Sequence, residues 1–355
     1  MSFRKDNEAF EKWLANQCDV VEPDVDYKHR RMKESPFIFL RATYFRWARK
    51  IGEWCPKLMN APQVLSVGDL HVENFGTWTD EDGRLVWGVN DFDEAAVMPY
   101  VLDLVRLATS IQLAPNPAVR PDKAIAAVLR GYHNGLRNPR PALLYEGDTS
   151  LRSYAEPEEG DPEKFWNKIK KYPEVTPPAD VVKALRASLP KGTKKIIYRQ
   201  VFHKGGGSLG RPRFLAVGNW RGGQVVREAK ALVPSAWTWA NGPKQSRNSN
   251  FLKLANSRYR APDRFLELDA SRKFILRRVA GDARKIEFGD DAGKGLHTDL
   301  MEAMGCDVAS IHAADKIGAE PLQADLAKRR PRDWLHAAAR VAADKVKRDY
   351  REWRN

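Results

Sequence analysis

Two short segments carry the residue types that could do chemistry: Gly68-Asp69-Leu70-His71-Val72-Glu73-Asn74-Phe75-Gly76 and Val89-Asn90-Asp91-Phe92-Asp93-Glu94. Moving a phosphoryl group from ATP calls for a carboxylate at the attacking hydroxyl. It also calls for a metal ion held against the phosphates by an amide oxygen and a second carboxylate. Asn74 lies five residues after Asp69, and Asp91 seventeen after Asn74. That spacing suits a loop that supplies base and amide together, with a second strand delivering the metal-binding Asp. Magnesium takes such oxygens readily. On this reading Asp69 is the base, and Asn74 and Asp91 are the metal ligands.

These motifs need strands and helices to hold them. Val64 to Val67 and Leu85 to Val89 are short apolar runs flanked by Gly and Asp, which read as strands, with a hairpin turn at Asp80 to Gly83. Upstream, Ser35-Pro36 is a helix start, and Phe37, Leu40, Tyr44, Trp47 and Ile51 predict one amphipathic helix over 36–51. Helices are expected at 102–113 and 123–136. Residues 138–194, rich in Pro, Glu, Asp and Lys, read as a connection with short helices. Beyond it, Lys195 to Phe202, Arg213 to Val217, Gln224 to Glu228 and Lys273 to Val279 read as a small sheet, and the chain ends in helices near 300–314 and 332–353. The expected organisation is 1–137 as the segment with the catalytic loop and metal motif, 138–194 as the connection, 195–290 as a small β nucleotide lobe, and 291–355 as helices completing the first part.

GDLHVEN resembles the catalytic loop of the aminoglycoside phosphotransferase and choline kinase group, whose core is Asp-x-His-x-x-Asn. NDFDEAAVMPYVLDLVRLA is similar to that group's metal-binding segment, with Asp91, Phe92, Pro99 and Asp103-Leu104 in the matching places. The resemblance implies that Asp69 is the catalytic base; His71, two residues on, reads as an orienting or structural histidine and not as a metal ligand. It further implies that Asn74 and Asp91 bind metal and that Asp103 supports the loop; Asp93, standing where protein kinases have Gly, is a candidate extra ligand.

Order along the chain departs from that group. The first glycine is Gly52, so nothing upstream can cradle phosphates. Downstream, Gly205-Gly206-Gly207-Ser208-Leu209-Gly210 lies between strand-like runs, and a third strand bears Arg227, Glu228 and Lys230. Glycines there let backbone N–H groups approach a triphosphate, and a basic side chain neutralise it. The expectation is an α+β, two-lobed, protein-kinase-like fold in circularly permuted order, with a mainly helical catalytic lobe and a small antiparallel β lobe. This layout, with KESPFIFLRA before GDLHVENFG and GGGSLGRPRF before REAKA, resembles a bacterial family known as domain of unknown function 2252, from about Arg30 to His312. That family usually has Lys-Glu-Ala on the third strand, where this chain has Arg227-Glu228-Ala229 with Lys230 just beyond. Lys230 is taken as the nucleotide lysine, and Arg227 as its replacement if that side chain faces the site.

The function expected is ATP-dependent phosphotransfer to a small-molecule hydroxyl, with magnesium. A nucleotide-binding pseudokinase acting through a partner is the alternative. Gly-Asp-x-His also opens the metal site of calcineurin-like phosphoesterases, but that site needs a Gly-Asn-His segment, and Gly218-Asn219-Trp220 is the nearest approach. His312 reads as a packed helix residue and His203 as tracking a strand edge.

Composition narrows the setting. With 355 residues and 43% apolar content the chain can build sizeable cores. No run approaches the roughly eighteen apolar residues of a membrane span. MSFRKDNEAFEKW has charges where a signal peptide keeps its apolar core, so the cytoplasm is expected. Lys and Arg number 60 against 46 Asp and Glu, a formal charge of +14 that attracts phosphorylated molecules. The basic residues are scattered, which argues against a nucleic-acid footprint. Cys18, Cys55 and Cys306 form no C-x-x-C pair and read as reduced, buried thiols.

Overall fold

Helices open the chain: α1 (Phe3–Ala15), α2 (Glu22–Arg31), α3 (Pro36–Ala42) and α4 (Tyr44–Trp54). The stripe from Phe37 to Ile51 thus forms two helices, not the single one its period predicts. Thr43 makes the break: its backbone leaves helical space, and its hydroxyl donates to the Phe39 carbonyl at 2.7 Å. That local bond is the way Thr competes with a continuing helix. Both halves still bury the stripe. The structure, a computed structural model, describes residues 2–115, 118–147, 149–154, 161–242, 250–281 and 297–355.

Short strands follow: β1 (Gln63–Ser66), β2 (Phe75–Thr79), β3 (Leu85–Val89), β4 (Ala96–Pro99) and, after helices α5 (Val101–Leu113) and α6 (Pro121–Arg137), β5 (Ala142–Leu143). β1 pairs antiparallel with β4, while β2, β3 and β5 form a second sheet in that order. The turn between β2 and β3 falls where Asp80 and Gly83 predict it. Asp80 Oδ1 accepts from the Asp82 and Arg84 N–H groups at 3.0 and 2.9 Å.

The stretch read as a connection contains α7 (Asp161–Lys171) and α8 (Ala179–Ser188). β6 (Lys194–Gln200), β7 (Arg213–Trp220) and β8 (Gly223–Ala231) come next. Short helices α9 (Ala236–Asn241) and α10 (Phe251–Ala255) then lead to β9 (Glu267–Leu268) and β10 (Phe274–Arg278). These strands make one antiparallel sheet in the order β6-β7-β8-β10-β9. Val181, Leu185 and Leu189 cover one face against Phe214, Ala216, Ala229 and Leu276. Ile169 of α7 covers the other, against Val201, Leu215, Val217 and Val226. Strand alternation therefore puts Arg227 with Ala229 on the α8 face and Glu228 with Lys230 on the α7 face.

Three last helices, α11 (Thr298–Ala313), α12 (Glu320–Lys328) and α13 (Trp334–Arg354), return to the first part of the chain. α13 packs on α5, and buried Arg46 of α4 joins Asp6 of α1 to Asp349 of α13, with Nε 2.7 Å from Asp349. α11 crosses α6 at backbone contact. A Cβ on Gly131 would fall 1.8 Å from the Glu302 carbonyl oxygen, and one on Gly305 2.1 Å from that of Val128. Gly131→Ala is therefore expected to destabilise the chain by about 3 kcal/mol, since no rotamer relieves a clash with a carbonyl. Alanine is intrinsically the better helix former by ~1 kcal/mol, so the sign is diagnostic. A denaturation midpoint that rises or holds would refute the contact.

No helix among the described residues is long and apolar enough to cross a membrane. Cys18, Cys55 and Cys306 form no disulfide among the described residues, and they are half-buried where burial was expected.

Candidate functional site

β1 can turn into the loop at Asp69 only through glycine. Gly68 has φ +88°, and a Cβ there would fall 2.4 Å from the Glu94 carbonyl oxygen. Asp103, in the first turn of α5, grips the same point: its carboxylate accepts from the Val67 and Gly68 N–H groups at 2.7 and 2.9 Å. His312 of α11 lies with Nε2 3.1 Å from Asp103, and its Nδ1 lies 2.8 Å from the Tyr132 hydroxyl of α6. The carboxylate can only accept, so Nε2 carries the proton and Nδ1 receives the one from Tyr132. All three residues are fully buried. His312, read from sequence as packing, is thus a polar link between α6, α11 and the loop.

Asp69 meets Arg106 of α5, whose Nη2 and Nε lie 2.6 and 3.2 Å from Oδ1. The Arg106 guanidinium is buried over the rings of Tyr44 and Trp47 and donates to the Leu40 carbonyl at 2.7 Å. Burial pushes the Asp69 carboxyl above its usual range, against the pull of Arg106. A buried aspartate so placed is a stronger base than an exposed one. The Asn74 amide nitrogen donates to the Asp69 and Asp91 carbonyls at 3.1 and 3.3 Å. Those bonds hold the loop to the end of β3, and they leave the Asn74 amide oxygen as the atom suited to a cation.

Asp91 and Asp93 follow β3. Lys230 reaches them from β8, with Nζ 3.1 Å from Asp91 Oδ2 and paired with Asp93. Arg211 pairs with Asp93 at 3.5 Å and Glu94 at 2.5 Å. Burial and the neighbouring Asp91 carboxylate push Asp93 up to about 6. Asp93 Oδ1 is buried without a hydrogen-bond partner among the described residues. An amide oxygen, two crowded carboxylates and an unsatisfied carboxylate oxygen suit a hard divalent cation that fills its shell with waters and phosphates. Among the described residues, no group of three or more His, Cys, Asp or Glu side chains is arranged to cage a metal.

The glycine loop comes to the same place. A Cβ on Gly207 would lie 3.0 Å from Asp69 Oδ2 and 3.0 Å from the Arg41 carbonyl oxygen. The N–H groups of Gly205, Gly206 and Gly207 make no backbone hydrogen bond among the described residues. Asp69, His71, Asn74, Asp91, Asp93 and Gly205 to Ser208 all line one cavity of about 430 Å³. Gly210 sits at its side, where its φ of +92° turns the chain past Val25. The His203 ring lies 4.2 Å from that of Tyr27, tilted by 34°, beside the same cavity.

Arg227 does not reach this cavity. Its Nε donates to the Ser188 carbonyl at 2.9 Å and its guanidinium lies over Phe265, on the α8 side of the sheet. The cations on the α7 side are others, gathered on Glu228. This fully buried carboxylate meets Lys204 at 2.9 Å, Arg213 at 3.1 Å and Arg277 at 2.6 Å. Burial alone would raise Glu228, but Arg213, Arg277 and Lys204 hold it well below the glutamate range. Burial pushes Lys204 down to about 7, against the pull of Glu228. All three cations line the cavity, and Lys204 and Arg277 also line an adjoining one of about 500 Å³ walled by Trp78, Phe92, Phe165 and Tyr172. Sequence reasoning missed them because Arg277 faces Glu228 and Arg213 faces Lys230 only through strand register.

Over residues 21–140 the chain matches the model of a family described as an uncharacterized protein conserved in bacteria, DUF2252. The match covers Asp69, Asn74, Asp91 and Asp103; the likeness read from sequence ran further, to His312. No curated protein matches the chain, and no solved structure does.

Proposed function

We propose that this chain is an ATP-dependent phosphotransferase of kinase-like, circularly permuted architecture, acting on a small-molecule hydroxyl with magnesium. The observation that carries the reading is the meeting of distant segments at one cavity, with Gly207 seated on Asp69 and Lys230 on Asp91. The N–H groups of Gly205 to Gly207, which make no backbone hydrogen bond among the described residues, suit a triphosphate together with Lys230, Lys204, Arg213 and Arg277. The aromatic cavity next to them suits a purine base.

Asn74, Asp91 and Asp93 would hold magnesium, which neutralises charge on the phosphates. Asp69 orients the acceptor hydroxyl and takes its proton as the oxygen bonds to the γ-phosphorus and the bond to the ADP oxygen breaks. Arg106 keeps the carboxylate in place, and Asp103 with His312 fixes the backbone that presents it.

Calorimetry with Mg-ATP on the wild type and Asp91→Ala tests the reading. The variant should bind at least about tenfold more weakly, a change of ~1.4 kcal/mol. Lys230 keeps Asp93 as partner, so the fold should persist. Equal binding, or none by either protein, would overturn the metal and nucleotide assignment.

A further inference from the structure

Lys28 of α2 is 2% exposed, and its ammonium meets no carboxylate in ion-pair contact among the described residues. It faces instead the rings of Phe10 and Phe45, at 5.8 and 5.6 Å. Burying an unpaired ammonium is unfavourable, and ring faces return only part of the lost hydration. Yet Lys28 lines the cavity that holds Asp69. Arg31 and Arg41, from α2 and α3, line it as well. Arg41 is paired with Glu73 of the catalytic loop, and its Nε is buried without a hydrogen-bond partner among the described residues. Around the whole cavity, eight Lys and Arg side chains face five Asp and Glu.

The cations divide by origin. Arg213 and Arg277 belong to the small sheet, Lys204 is held against it by Glu228, Lys168 comes from α7, and Arg211 is tied to Asp93 and Glu94; these face the proposed triphosphate. Lys28, Arg31 and Arg41 come from the helices beside the catalytic loop, where an acceptor must lie for Asp69 to reach its hydroxyl; the Arg41 guanidinium also borders the glycine loop, its Nη2 3.7 Å from where a Cβ on Gly206 would lie. A magnesium-bound triphosphate does not account for a separate ammonium in that wall, which Glu11 and Glu94 attract but no carboxylate meets in ion-pair contact among the described residues.

We infer that the acceptor is a small organic anion, bearing a phosphate or carboxylate besides its hydroxyl, and that Lys28 holds the anionic group. The inference rests on the phosphotransferase reading and narrows its substrate class. A compact ammonium on a buried stem binds either anion as a point charge. Arg41, with its free Nε, adds a directional donor. The cavity of about 430 Å³ keeps the acceptor to the size of a small metabolite. Burial lowers the affinity of the Lys28 amine for its proton, and an arriving anion restores it.

The test is calorimetric titration of the full chain, saturated with magnesium and a non-hydrolysable ATP analogue. Glycerol 3-phosphate and glycerate serve as anionic probes, glycerol and choline as neutral and cationic ones. The anions should bind at least about tenfold more tightly than glycerol or choline. Lys28→Met should lose about tenfold or more in anion affinity with the analogue's affinity unchanged, while Lys28→Arg retains most of it. Lys28→Met should also melt higher than the wild type, because an apolar chain of similar length replaces an unpaired buried charge. Equal binding of choline or glycerol, anion binding that ignores Lys28→Met, or no binding of any probe would overturn the inference. If the wild type fails to bind the analogue, the phosphotransferase reading falls, and the same titrations without nucleotide decide the anion site separately. Dependence on Lys28 then supports it, whereas dependence on Lys204 alone places the anion at the sheet and overturns it.

Discussion

Asp69→Asn is expected to lower acceptor phosphorylation by about 100- to 10,000-fold, the range for loss of a positioned general base. Affinity for Mg-ATP should stay within about twofold, because Asp69 is not among the groups assigned to nucleotide or metal. Asparagine is the right probe because it keeps the shape and one oxygen of aspartate. That oxygen can still accept from the Arg106 guanidinium, which is buried against Tyr44 and Trp47 and whose other acceptor among the described residues is the Leu40 carbonyl. Asp69→Ala would strand that guanidinium and mix a folding defect of about 1–3 kcal/mol with the catalytic one. The readout is ADP formation over a pool of cellular metabolites, with the melting midpoint as a control. Turnover that survives the substitution would remove Asp69 from the chemistry. Absence of turnover in the wild type, with Mg-ATP still bound, would favour a nucleotide-binding protein that acts through a partner.

Much of the candidate site was legible because its signals are local. The spacing of Asp69, Asn74 and Asp91, the apolar runs before them and the turn at Asp80 to Gly83 lie within thirty or so residues. Local geometry then does most of the work: β1 and β3 belong to different sheets, but the Asn74 amide bonds the backbone of the loop after each of them. The face of the sheet was legible in principle too. Period-two alternation separates Arg227 from Lys230, so only one of them could share a face with Glu228. What stayed hidden depends on which distant segments meet. Nothing near Arg106 in sequence announces Leu40 or Asp69. Nothing near Lys28 announces the loop at Gly207. The fold shows the same division. The stripe from Phe37 to Ile51 is periodic, and the pattern cannot see that the Thr43 hydroxyl bonds back to Phe39 and splits the helix. α1 and α2 went unread from sequence. The contact that anchors α1, Asp6 on Arg46 beside Asp349, joins the two ends of the chain and has no local signature.

Glu228→Gln is expected to destabilise the protein by about 3–5 kcal/mol at neutral pH, the range for breaking a buried ion cluster from one side. Glutamine fits the space but leaves Lys204, Arg213 and Arg277 without their shared anion. The pH dependence identifies the cause. The folded-state carboxyl of Glu228 lies well below its ordinary value near 4.5, so between the two values the unfolded chain binds the extra proton. Its stabilisation is therefore complete above about pH 4.5 and is lost as the pH falls towards the folded-state value. Urea midpoints taken at pH 7 and then stepwise below 4.5 should bring the wild type down towards the variant, with the gap closing as Glu228 protonates. A gap that stays constant would mean that glutamine disturbs packing and not charge. A deficit under about 1 kcal/mol at pH 7, the value of an exposed pair, would mean that solvent and not Glu228 holds the three cations. Their place at the proposed phosphate site depends on that distinction, because only cations fixed by a buried carboxylate are already oriented when a triphosphate arrives.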